Sequence, residues 1–179
     1  MRLFVALELP YGLRERLGFL AGGLPGARWL PPENLHCTLR FIGEVPGWRA
    51  EEIDAALAGL RAPGFSLSLA GVGVFNRGGK ATALYAGVER SAALDRLQAK
   101  VETALQRSGL DPERRRFAPH VTLARVEAVA EPRVAAWVQA NNLFRAEPVT
   151  VEHFTLFSSR LSKEASAYTA EVEYALALA

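Results

Sequence analysis

The apolar positions of this chain change period several times along its length, and each change marks an element. Residues 2–8 (RLFVALE) read as a strand. Leu13, Leu17 and Leu20 form one stripe of a helix over residues 11–22, which Gly22 and Gly23 end. The Pro-broken stretch RWLPPENL leads into the strand HCTLRFIGEV, and Ile53, Leu57 and Leu60 place a helix over 48–60. FSLSLAGVGVFN (65–76) and ATALYAGVE (81–89) predict two strands joined by the turn RGGK. In the second half, Leu94, Leu97, Val101 and Leu105 predict a helix over 91–110, with Ser91 as N-cap and Gly109 as C-cap. RRRFAPHVTLARV (114–126) reads as a strand introduced by proline, and EPRVAAWVQANN (131–142) as a short helix. VTVEHFTLFSSRL (149–161) and AYTAEVEYALAL (167–178) read as a closing pair of strands.

Each half thus holds a long helix, several strands and one strand that begins His-x-Thr-Leu. The class is α+β, with helices covering one face of the sheets. Two half-sheets facing one another would leave a cleft between them. No linker or low-complexity segment divides the chain, so residues 1–179 are expected to form one domain.

The chain has three histidines, and each opens the same pattern: HCTL at 36, HVTL at 120 and HFTL at 153. Residues two apart on a strand share a face, so each histidine lies beside its threonine. In the first copy strict alternation puts His36, Thr38 and Arg40 on one face, and Cys37, Leu39 and Phe41 on the other. In the second, His120 and Thr122 share a face with Ala124, opposite Val121 and Leu123. The third copy has no such partition, because His153 and Thr155 stand with Val151 and Phe157. It is expected to be structural.

Two His–Thr pairs across a cleft suit acid–base chemistry at phosphorus. One neutral and one protonated imidazole supply a base and an acid. Two hydroxyls can hold an oxyanion, and Arg40 or Arg125 can add charge-assisted bonds. Arg40, four residues after His36, is placed for this by alternation; its competing reading is an exposed sheet arginine. Arg125, five residues after His120, needs a bulge to reach the same face. Phe117 either stacks on a ring of the ligand or belongs to the core, and the Arg114–Arg116 run either contacts ligand phosphates or is a solvated loop.

Composition narrows this picture further. A net charge of +2 permits an anionic ligand but makes no bulk field for duplex nucleic acid. The single cysteine, Cys37, excludes an intrachain disulfide and fits a reducing cytoplasm. Glu8 and Pro10 interrupt the first apolar run too early for a signal peptide or membrane span. There is no GxSxG, no HExxH and no GxxxxGK[ST], which leaves serine hydrolase, zincin and P-loop chemistry without a motif.

With RLFVALELP, WLPPENLHCTLRFIGEV, GVGVFNRGGKATALYAGV, RRFAPHVTLARV and the late LFSSRL and AYTAEVEYAL, the sequence resembles the 2H (two-histidine) phosphoesterases over almost its full length. The resemblance is to their RNA 2′,3′-cyclic phosphodiesterases, also called 2′-5′ RNA ligases. It implies two pseudo-twofold-related lobes of antiparallel sheet and helices around a central cleft. It implies His36 as proton donor, His120 as proton acceptor, Thr38 and Thr122 on the phosphate, and Arg125 on phosphate or ribose. No metal and no cofactor are implied. The implied partner is RNA ending in a 2′,3′-cyclic phosphate, with tRNA fragments among the candidates. Two other readings stay open: an ATP-independent 2′-5′ RNA ligase acting on tRNA-like halves, and a non-catalytic nucleotide- or RNA-binding module. With no obviously exposed apolar helix, the chain is expected to be a monomer.

Overall fold

The apolar stripe of residues 91–110 becomes the longest helix of the computed structural model, which describes residues 1–163 and 165–177. Leu94, Leu97, Val101 and Leu105 are all buried, and Ser91 Oγ accepts the Leu94 N–H at 3.1 Å as N-cap. Gly109, at φ +103°, follows its end. In chain order the elements are β1 (Arg2–Glu8), α1 (Tyr11–Gly18), β2 (Ala27–Trp29), a 3₁₀ turn (Pro32–Asn34), β3 (His36–Glu44), α2 (Gly47–Ala58), β4 (Phe65–Leu67) and β5 (Leu69–Arg77). There follow β6 (Lys80–Val88), α3 (Ala92–Arg107), β7 (His120–Val126), α4 (Glu131–Asn141), β8 (Val149–Val151), β9 (His153–Leu161) and β10 (Ser166–Ala175).

Three expected strands come out shorter or divided. Residues 65–76 break at Ser68, and residues 149–161 break at Glu152. The small pieces β4 and β8 pair with each other in a separate two-stranded sheet. The strand expected over 114–126 begins only at His120, because the segment before it makes no ladder. Leu178, the end of the last expected strand, lies outside the described residues. No helix among the described residues is long and apolar enough to cross a membrane.

The main sheet has eight antiparallel strands in the order β10-β9-β1-β3-β7-β6-β5, with β2 also on β7. The two half-sheets are joined edge to edge, so one sheet runs through both lobes. They join where β3 meets β7, through the single pair Cys37–Val121. The first lobe is β10-β9-β1-β3 with α2 and α3 packed on it; the second is β7-β6-β5 and β2 with α1 and α4. The helix α1 reaches the second lobe through Arg16 Nη2, which donates to the Arg145 carbonyl at 2.8 Å, while Trp137 Nε1 donates to the Leu20 carbonyl at 3.2 Å. Each lobe therefore draws strands or helices from distant parts of the chain.

An antiparallel pair carries a local two-fold axis normal to the sheet. Here it passes between Cys37 and Val121, and it exchanges His36 with His120 and Thr38 with Thr122. Cys37 and Val121 are fully buried against the helices, so both histidines face away from the helical layer.

Candidate active site

Each HxT strand is interrupted by a β-bulge at its leucine. The register of β1 on β3 steps from Ala6–Thr38 to Val5–Arg40, leaving Leu39 unpaired. That of β6 on β7 steps from Tyr85–Thr122 to Leu84–Ala124, leaving Leu123 unpaired. An extra residue inverts the alternation beyond it. HCTLRF and HVTLAR consequently share one burial pattern: half-buried, buried, half-buried, buried, buried, exposed.

The inversion corrects three assignments made from strict alternation. Arg40 is buried on the helix side rather than sharing the face of His36. Its Nε donates to Glu102 Oε2 at 2.7 Å, Nη1 to the Phe41 carbonyl at 2.7 Å, and Nη2 to the Asp111 carbonyl at 2.5 Å. Its side chain borders the cleft, but its guanidinium is already fully engaged. Phe41, expected in the core, is 58% exposed on the cleft wall. Ala124 likewise turns inward and is fully buried. The same step delivers Arg125 to the cleft, where its charge helps hold the His120 pKa down. The Arg125 guanidinium makes no hydrogen bond or ion pair among the described residues.

The cleft has a volume of about 520 Å³, and His36, Thr38, Phe41, His120, Thr122 and Arg125 all line it. Each imidazole is set among aromatic rings. His36 stacks on Phe4 at 4.9 Å between centroids, with Tyr168 edge-on at 5.3 Å and Phe157 at 6.0 Å. His120 meets Phe75 edge-on at 4.7 Å and Tyr85 at 5.7 Å. Tyr85 lies across Gly73, where any Cβ would run into its ring.

This packing removes water from both imidazoles and disfavours their charged forms. Burial takes His36 down to about 4; a hydrogen bond to the Asn34 backbone opposes the shift and the charge of His120 adds to it. Burial also lowers His120, against a hydrogen bond to the Ala118 backbone and with help from Arg125. The two lobes thus repeat a second device: a backbone group two residues upstream holds each ring. The Ala118 carbonyl can only accept, so His120 Nδ1, 2.7 Å away, must carry the hydrogen. In the neutral ring Nε2 is then a free acceptor.

Phe117 is half-buried; it packs against the core and also lines the cleft. The third HxTL copy stays out of the cleft. Thr155 is fully buried and donates to Glu8 Oε1 at 3.0 Å. His153 Nε2 lies 3.5 Å from Glu8 Oε2 and 4.0 Å from Glu173 Oε1. Glu8, His153 and Glu173 are the one metal-ligand grouping among the described residues, with ligand atoms within 4.8 Å of one another. They form a polar cluster that ties β1, β9 and β10 together. Sequence reasoning missed Phe41 and the aromatic surround of Phe4, Phe75, Tyr85, Phe157 and Tyr168. Nothing local signals Phe41, because the leucine at the bulge occurs in the third copy as well. The surround gave no signal either, because it depends on cross-strand register.

The LigT-like phosphoesterase family model matches the chain twice, over residues 7–85 and 87–168, so each match contains one HxT strand of the cleft. A protein of Escherichia coli K12 named RNA 2′,3′-cyclic phosphodiesterase is 31% identical over 182 residues, covering 98% of this chain and 96% of its own. One of the same name from Archaeoglobus fulgidus is 31% identical over 171 residues, covering 94% of this chain and 96% of its own. The crystal structure of Escherichia coli LigT complexed with 3′-AMP superposes with a TM-score of 0.81 at 30% identity, over 98% of this chain and 97% of that one. The repeated family match, the paired strands and the shared architecture agree: this chain belongs to the LigT-like phosphoesterases, a 2H phosphoesterase family.

Proposed function

We propose that the chain hydrolyses the 2′,3′-cyclic phosphodiester at the end of an RNA to a 2′-phosphomonoester, with His120 as base and His36 as acid. The observation that carries this is the two-fold relation of the His–Thr pairs about Cys37 and Val121. In an in-line displacement the attacking and departing oxygens stand on opposite sides of phosphorus. Two imidazoles related by a two-fold axis can serve those two positions, and the two threonine hydroxyls the oxygens between them. In this scheme His120 takes a proton from water through its free Nε2, and that water attacks phosphorus. The bond to the 3′ oxygen breaks, and His36 protonates that oxygen as it leaves. Arg125 offers an uncommitted guanidinium to the phosphate, and Phe41 an exposed ring to a base.

Burial keeps both imidazoles largely neutral near pH 7. An anionic phosphodiester between them favours their charged forms, so the substrate itself helps place the proton on the acid. Both His–Thr pairs come from one chain, which supports a monomer as the active unit. A single buried cysteine supports a cytoplasmic setting. The direct test is an oligonucleotide bearing a 2′,3′-cyclic phosphate, incubated with EDTA. A 2′-phosphate product is expected; an unchanged cyclic end, or a 3′-phosphate product, would overturn the proposal.

A further inference from the structure

The chain between α3 and His120 is an irregular loop, yet both of its ends are held. At the first end Glu102 accepts the Arg40 Nε–H at 2.7 Å and the Glu113 backbone N–H at 2.9 Å, while Arg40 Nη2 donates to the Asp111 carbonyl at 2.5 Å. At the second, Arg90 Nη1 donates to the Phe117 carbonyl at 2.8 Å and its guanidinium lies 5.8 Å from the Phe117 ring centre. Between these clamps stand Arg114, Arg115 and Arg116, all exposed, with Arg115 and Arg116 on the cleft wall.

Their guanidinium groups have no hydrogen bond or ion pair among the described residues. Arg40, Arg49 and Arg90 pair with carboxylates and Arg16, Arg61, Arg96 and Arg145 with carbonyls; other arginines have no partner among the described residues, but only at 114–116 do three stand in a row. The nearby Glu113 turns its carboxylate to the Arg115 backbone N–H at 3.0 Å and makes no ion pair with the three guanidinium groups, so the run keeps a net positive charge. Adjacent like charges repel, and a pinned backbone limits how far they can spread. A polyanion laid along them would relieve that repulsion, and a pre-set loop binds it with little ordering cost.

We infer that this loop is a phosphate rail for the RNA strand on the 5′ side of the reacting end. The preferred substrate is then an oligoribonucleotide with a cyclic terminus rather than a free nucleoside 2′,3′-cyclic phosphate. A cyclic phosphate ends its chain, so every other phosphate lies on one side and must leave the cleft over its rim. Contacts of this kind read charge and not sequence. The inference rests on the cyclic-phosphate activity proposed above.

The test compares a short oligoribonucleotide ending in a 2′,3′-cyclic phosphate with nucleoside 2′,3′-cyclic phosphate over a range of salt. The wild-type kcat/KM for the oligonucleotide should exceed that for the nucleoside and fall more steeply with salt. Replacing Arg114, Arg115 and Arg116 together by serine should lower the oligonucleotide-to-nucleoside ratio about tenfold and reduce the salt slope by about 0.7 for each phosphate no longer neutralised. Lysine at the same three positions should restore most of both, since the charge is kept. A ratio and slope that the serine variant leaves unchanged would overturn the rail, as would a lysine variant no better than serine. If wild-type protein turns over neither substrate, the cyclic-phosphate reading falls and takes the rail with it. Failure of the rail alone leaves both substrates hydrolysed.

Discussion

Strands β3 and β7 carry the same device, and β9, which carries the same letters, does not. In HCTLRF and HVTLAR the leucine bulges out of the ladder and the residue after next swings onto the cleft face. In HFTLFS the pairing with β1 runs without a step from Phe157 to Thr155, and the histidine ends among glutamates. A tripeptide motif therefore does not make a site in this sheet. What makes one is a motif at the junction of the lobes, followed by a bulge that adds a third side chain. The two copies at the cleft also differ at that third position, where one presents the ring of Phe41 and the other the guanidinium of Arg125. The cleft is symmetric in its acid–base groups and asymmetric in what it offers beside them, as suits a ligand with a base on one part and a phosphate on another.

The largest effects should separate the three histidines. His36→Ala and His120→Ala should each lower kcat by about 10²–10⁴, the usual weight of a positioned acid or base. His153→Ala should stay within about twofold, and a loss like that of the other two would erase the distinction between the copies. Next come the arginines. Arg125→Ala should lower kcat/KM on a nucleoside cyclic phosphate by about 10- to 100-fold, the weight of a charge-assisted contact. Arg40→Met should instead appear in stability, at about 3 kcal/mol in denaturant unfolding, because Glu102 loses its charge partner and the Phe41 and Asp111 carbonyls lose a donor. Equal kinetic losses in the two variants would mean that the bulge does not sort them. Phe41→Ala should raise KM by the equivalent of about 1–2 kcal/mol, with Phe41→Trp restoring it, as stacking on a base requires.

The smallest effect is in pH dependence. Burial puts His36 near 4 and His120 below its ordinary value, so both limbs of the kcat/KM profile should fall on the acid side of 6.5. At saturating substrate the phosphate anion should move the His36 limb upward; superimposable kcat and kcat/KM profiles would argue against that coupling. The same shift bears on stability. His36 resists protonation when folded but not when unfolded, so its contribution is full above 6.5 and is lost as pH falls toward 4. The Tm of His36→Gln should accordingly vary less with pH over that window.

The paired HxT strands were legible because face and spacing are local properties of a sequence. The same is true of the Leu94–Leu105 stripe and its Ser91 cap. Arg40 and Phe41 were misplaced because strict alternation cannot register a residue that leaves the ladder. The Leu39 and Leu123 bulges show only in the partners' pairing. The aromatic beds of the histidines were out of reach for a related reason: Phe157 and Tyr168 meet His36 through strands far away in the sequence. The single sheet running through both lobes depends on one pair, Cys37–Val121, which no local pattern announces.

The interleaving of the lobes also governs how the protein is made. The strand β1 lies between β3 and β9, so one whole edge of it waits for residues near the C-terminus. During synthesis the first lobe remains an open ladder while the strands of the second, β5 to β7, are already contiguous. Pairing across such sequence separations carries a large loop-closure cost and makes for slow, late assembly. A nascent chain would thus expose the β1 edge for most of its synthesis, and losing the last two strands would strip Phe157 and Tyr168 from the bed of a histidine more than a hundred residues away.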